Sequence, residues 1–183
     1  MKIENMQIKK SNVLMIFFEA NTFKKEFKHK VNEVRTEKYR KYVKDEFPIP
    51  YCVTLASFAC ELFIKFLICV SGIQEDETVN SIDIPRGHDL QKLYNQLPDR
   101  YKKIVLDKIE KETLNNILKR NADAFMKWSY IYESRESSIV FNYDYINKFM
   151  DVLYEIANKK NTTWFGEEEA TDVMMKVTDS IYL

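Results

Sequence analysis

From Tyr51 to Val70 the chain is almost wholly apolar and carries only two charges, Glu61 and Lys65, one helical turn apart near its middle. A stretch of this length and character either crosses a bilayer or runs through the centre of a protein. The charges favour the second, because each would cost ~2.5–3.5 kcal/mol at the middle of a membrane helix. The expectation is a core helix and no membrane association, and every other part of the chain then has to supply surface that wraps it.

That wrapping is expected to be helical. With only 3 glycines and 4 prolines in 183 residues, the many close turns of a sandwich or barrel are hard to build. The length and the 45% apolar content suit one sizeable core, so residues 1–183 are read as a single all-α domain. Lys24 to Lys44 is the most basic stretch, in a chain whose 28 basic and 28 acidic residues balance. Mixed charge at helical spacing is ordinarily a solvated helix face, and the alternative is a local anion site. Balanced charge gives no long-range attraction for a polyanion, so any nucleic-acid contact has to be local.

Cys52, Cys60 and Cys69 lie in the apolar stretch without a CxxC pair. They are read as small buried hydrophobes in a reducing compartment, with no disulfide framework and no zinc site. The first residues, MKIENMQIKK, have no apolar signal core, which points to a cytoplasmic protein.

Along the chain, residues 12–20 are compatible with the start of a helix or with a short edge strand. Asn21 to Asp45 keeps Phe23, Phe27, Val31 and Val34 at helical steps, and Pro48 and Pro50 then stop that helix. A helix of about Tyr51 to Ser71 follows, ended by Gly72, and residues 73–86 are polar and irregular. Leu90, Leu93, Tyr94 and Leu97 define a short helix with Asp89 at its start, closed by Pro98. Further helices are expected at 99–110, at 111–133 with Leu114, Ile117, Leu118, Phe125, Trp128 and Tyr132 inward, and at Tyr143 to Asn158 after a break at Ser137 to Phe141. A last helix, about 167–181, begins with Glu167, Glu168 and Glu169 and packs on the body or on a partner.

Three strings stand in order: SFACELFIKFLICVSG at 57–72, GHDLQKLYNQLP at 87–98 and NADAFMKWSYIYE at 121–133. Together they resemble HEPN domains, helical bundles of nucleotide-associated and RNA-cleaving proteins in microbial defence and toxin–antitoxin systems. In one branch a Glu-x-x-x-Lys helix is followed by Gly-His-Asp-Leu and then by Phe, Trp-Arg-Tyr and Tyr-Glu. The resemblance spans about residues 50–135 and implies an up-and-down bundle that pairs as a homodimer, with its functional cleft near the dimer axis.

The candidate catalytic residues are His88, Glu61, Lys65 and Arg86. Glu61 and Lys65 either sit at the core edge with the lysine stem turned outward, or line a polar cleft. His88 and His29 are the only imidazoles available for proton transfer near neutrality. His88, at a loop-to-helix junction, is expected to hold the loop through a backbone hydrogen bond, and His29 to lie on the surface.

The superfamily's ribonucleases carry an arginine and then, after four to six residues, a histidine, and no such pair exists here. No arginine precedes His29, and only Gly87 separates Arg86 from His88. Where the resemblance calls for arginine after Trp128, this chain has Ser129, which removes a bidentate anion fork that Lys127 does not replace. Arg135 is the candidate substitute, and Trp128, Tyr130 and Glu133 complete the candidate binding residues, the aromatics serving either as stacking surfaces or as core.

No phosphate loop, nucleophile elbow or cluster of metal-ligating residues is present, so no cofactor and no metal are implied. The leading expectation is a catalytically degenerate, dimeric module that binds a nucleotide, an RNA end or a cognate protein. The alternatives are a metal-independent ribonuclease built on His88 with non-standard partners, and a purely structural helical protein in which Glu61, Lys65 and His88 do not converge.

Overall fold

The computed structural model describes residues 10–35, 49–72, 85–121 and 143–181, and among these every element is an α-helix, with no strand. Helix α1 spans Lys10–Arg35. Its buried residues Val13, Leu14, Phe17, Ala20, Phe27 and Val31 recur at three- and four-residue steps, so residues 12–20 continue the same helical face and form no strand. One member of that inward face is charged: Lys24 is buried.

Helix α2 spans Ile49–Gly72. Pro50 falls in its first turn, where the missing amide hydrogen has no intrahelical partner to lose. The helix therefore begins slightly earlier than the two prolines suggested. It is long and apolar enough to cross a membrane, and most of it is buried within the protein. Cys52, Ala56, Ala59, Cys60, Phe63, Ile64, Phe66, Leu67 and Cys69 are fully or nearly fully enclosed. Helix α1 runs antiparallel along it, since Phe17 meets Phe63 and Phe66 at ring separations of 6.1 and 5.3 Å while Phe23 meets Phe58 at 5.2 Å.

Three shorter helices follow. Helix α3, Leu90–Gln96, turns Leu90, Leu93 and Tyr94 inward and packs on α2. Asp89 caps it, its carboxylate accepting from the Lys92 amide at 2.9 Å. Helix α4, Asp99–Lys108, buries Tyr101 and Val105, and α5, Lys111–Asn121, buries Leu114, Ile117 and Leu118. The proposed continuation of α5 to residue 133, with Phe125, Trp128 and Tyr132, lies outside the described residues, as do the break at Ser137 to Phe141, residues 36–48 and the irregular stretch 73–84.

Helix α6, Tyr143–Ile181, packs on both α1 and α2. Two separate helices with a gap from 159 to 166 were expected. The backbone instead stays helical through that interval and breaks only at Gly166, with φ 66° and ψ 169°. That conformation is open to glycine and strained for other residues, so one residue does the work of a linker.

Candidate functional site

Helix α2 is so thoroughly enclosed that Glu61, which follows Cys60 by one residue, is carried inside with it, its side chain only 4% exposed. A buried carboxylate is costly unless its oxygens are hydrogen-bonded. Two partners meet the need. Lys65, one turn later on the same helix, donates from Nζ to Glu61 Oε1 at 2.7 Å. His88, from the segment between α2 and α3, places Nδ1 3.1 Å from both Oε1 and Oε2.

The chain reaches this position through a buried Pro85 and a turn at Gly87, whose φ of 92° lies in the left-handed region. Asp89 then caps α3, so the imidazole sits between a glycine turn and a helix start. Its ring lies 6.1 Å from that of Phe58, which in turn meets Phe23 of α1. An ionised carboxylate only accepts, so Nδ1 of His88 carries the proton toward Glu61 and the tautomer is set from behind. The His88 side chain is nevertheless 44% exposed, whereas that of Lys65 is 12% exposed.

Three of the four catalytic candidates therefore converge, Glu61, Lys65 and His88. The purely structural alternative expected them not to converge, whereas Lys65 and His88 both contact Glu61. The lysine is turned onto the acid rather than outward, which departs from the core-edge expectation for the pair. At Nδ1 the partner of His88 is the Glu61 carboxylate. Arg86 is exposed beside the group and forms no ion pair among the described residues. Ser57, one turn before Glu61, was not singled out from sequence; it is buried and its Oγ has no hydrogen-bond partner among the described residues. Its spacing of four from Glu61 and eight from Lys65 was the available signal.

The remaining binding candidates, Trp128, Tyr130, Glu133 and Arg135, and the departure at Ser129, lie outside the described residues. Within the described part of the basic stretch, Lys24, Lys28 and Lys30 are paired inside the chain. Lys28 Nζ lies 2.7 Å from Asp151 Oδ1, and Lys24 Nζ lies 3.5 Å from the same atom and 3.9 Å above the Tyr154 ring. Burial, and then the Lys28 charge, push the Lys24 ammonium below its ordinary range, against the pull of Asp151. Lys30 and His29 both pair with Glu33. Lys24 is thus an interior group, while His29 lies on the surface as expected.

All three cysteines are buried free thiols. Burial raises Cys52 and Cys69 to about 11 and Cys60 further still, which leaves them inert as nucleophiles at neutral pH. Among the described residues no group of three or more histidine, cysteine or acidic side chains could hold a metal ion. Comparison with protein-family models, with curated proteins and with solved structures finds no match to this chain.

Proposed function

We propose that this chain is a HEPN-like helical module that pairs with a second copy in the cytoplasm and binds a phosphate-bearing ligand, a nucleotide or an RNA end, without the ribonuclease chemistry of the superfamily's arginine–histidine pair. One observation carries the reading: a buried carboxylate, Glu61, is held by Lys65 and orients an imidazole, His88, that is itself 44% exposed. A histidine needed only to fill the core would be enclosed like its neighbours on α2. Here the carboxylate spends its oxygens on Lys65 and on the imidazole, and the exposed Arg86 stands two residues before that ring. The Arg86 guanidinium carries donors and no acceptor, which suits an anion. The resemblance of 57–72, 87–98 and 121–133 to HEPN domains supplies the ligand class, the homodimer and the setting in microbial defence or toxin–antitoxin systems.

The test is fluorescence anisotropy with short RNAs that carry or lack a 5′-phosphate, alongside sedimentation of the protein alone. The expected result is a dimer that prefers the phosphorylated RNA and loses affinity by about tenfold in His88→Ala, the scale of one charge-assisted hydrogen bond. Equal affinity for the two RNAs, or an unaffected variant, would reject the reading.

The metal-independent ribonuclease stays as a second reading because a carboxylate behind an imidazole is also how a general base is oriented. Incubating mixed RNA with the wild type and with His88→Ala, without added metal, separates the two. Cleavage that vanishes in the variant makes the protein an enzyme; intact RNA with both leaves the binding module.

A further inference from the structure

We propose that Lys24 is a nucleophilic amine that captures a small aldehyde as an imine at the seam between α1 and α6, a site separate from Glu61 and independent of the binding reading above.

The seam brings two amines to one carboxylate. Lys28 Nζ lies 2.7 Å from Asp151 Oδ1 and 3.0 Å from Oδ2, so Lys28 engages both oxygens. Lys24, one turn earlier on α1, approaches Oδ1 at 3.5 Å. Its amine therefore has the weaker hold on the acid, and a like charge stands beside it. Aromatic surface lies beneath: the Tyr154 ring is 3.9 Å from Lys24 Nζ, and Phe17 stacks on that ring at 6.2 Å. The Lys24 side chain is 11% exposed, so little water solvates an ammonium there. Burial and an adjacent cation are the two conditions that make a lysine nucleophilic, because both favour the free amine. Here they outweigh Asp151, and the Lys24 amine is held below its ordinary range. From α2, Cys60 feels the charge of Asp151, and burial together with that charge keeps its thiol protonated and out of the reaction.

The cluster also opens to solvent. The Lys28 and Asp151 side chains are 42% and 33% exposed, so the Lys24 amine stands one side chain in from the surface, within reach of a carbonyl compound of a few atoms. In the reaction the Lys24 nitrogen adds its lone pair to the aldehyde carbon, and the carbonyl oxygen becomes the hydroxyl of a carbinolamine. That hydroxyl leaves as the C=N bond forms, so the two amine hydrogens and the carbonyl oxygen depart as one water. Nothing is oxidised or reduced. When the imine takes up a proton, Asp151 is the adjacent counter-charge.

The probe is acetaldehyde with cyanoborohydride, which reduces an imine to a stable secondary amine, applied to the full chain at about pH 7 and followed by peptide mass mapping. Acetaldehyde is uncharged, so a preference reports the amine itself and not the attraction of an anion. The expected result is modification of Lys24 about threefold faster than of the exposed Lys103 and Lys159. Lys28→Met removes the like charge and leaves Asp151 to Lys24 alone, so the preference is expected to vanish in that variant. Circular dichroism establishes that the variant folds. Modification of Lys24 no faster than of the exposed lysines, or a preference that survives in Lys28→Met, overturns the proposal.

Discussion

His88 Nδ1 stands 3.1 Å from both carboxylate oxygens of Glu61, a residue 27 positions earlier in the chain. The contact ties the segment that precedes α3 to the middle of the enclosed helix α2. It gives an interior acid the hydrogen bonds that burial demands, and it holds an imidazole whose side chain is 44% exposed.

Removing the acid alone is therefore expected to cost more than removing the acid and its base together. Glu61→Ala leaves Lys65 nearly enclosed without its acceptor, and a loss of about 2–3 kcal/mol in urea unfolding is expected. The double variant Glu61→Leu, Lys65→Met replaces the pair by apolar groups and is expected to fall within about 1 kcal/mol of the wild type. Strict additivity of the single changes would contradict the coupling.

Gly87 adopts a φ of 92° with open space where a Cβ would lie, so any penalty for Gly87→Ala comes from the backbone and not from a clash. A cost of about 1–2 kcal/mol is expected. Because the turn delivers His88, the imidazole resonances of the variant should also move toward those of a free histidine side chain. An unchanged histidine spectrum would show that the turn is not what positions the ring.

The carboxylate of Asp89 accepts from the Lys92 amide. Asp89→Ala is expected to lower stability by about 1 kcal/mol, and Asp89→Asn, which still offers an oxygen, by much less. Thermal melts of the two variants are sufficient, and equal losses would place the effect in charge instead of capping.

Asp151 of α6 faces Lys24 and Lys28 of α1. Asp151→Ala strands a buried ammonium beside a like charge and is expected to cost about 3 kcal/mol. Lys24→Met keeps the packing on Tyr154 and leaves Lys28 with its partner, so its change in urea midpoint should be small. A larger loss for Lys24→Met than for Asp151→Ala would reverse this assignment.

Alkali should unfold the protein. Burial raises Cys52 and Cys69 from 9.0 to about 11, Tyr94 from 10.0 to about 12, and Cys60 further. An unfolded chain sheds these protons first, so the stability they contribute is whole below about pH 9 and drains away as pH climbs toward the folded values. Lys24, shifted downward, works in the opposite direction and offsets only part of the loss. Urea midpoints should fall between about pH 8 and pH 10. Replacing Cys60 by alanine should flatten that slope, and an unchanged slope would remove the thiols from the account.

Much of the fold was legible locally. The faces Leu90, Leu93, Tyr94, Leu97 and Leu114, Ile117, Leu118 are buried as their spacing required, because which side of one helix is apolar depends on that helix alone. The burial of the three cysteines follows from the helix that carries them. The candidate site was half legible. Glu61 and Lys65 stood out as charges in an apolar run, and His88 as one of two imidazoles, yet nothing in their spacing made the acid of one and the ring of the other neighbours. Asp151 gave less warning, although it interrupts the apolar run from Phe149 to Leu153.

The sequence by itself determined that the chain is helical, which helix is central, and which side chains would be hard to bury there. Those are properties of near neighbours along the chain, set by periodicity and by the low frequency of turn residues. Only the tertiary structure decided which partners the awkward charges found: His88 across 27 positions for Glu61, and Asp151 across 123 positions for Lys28. Such pairs depend on how far each helix is rotated and slid against the next, which the packing of the whole core selects and no local pattern encodes.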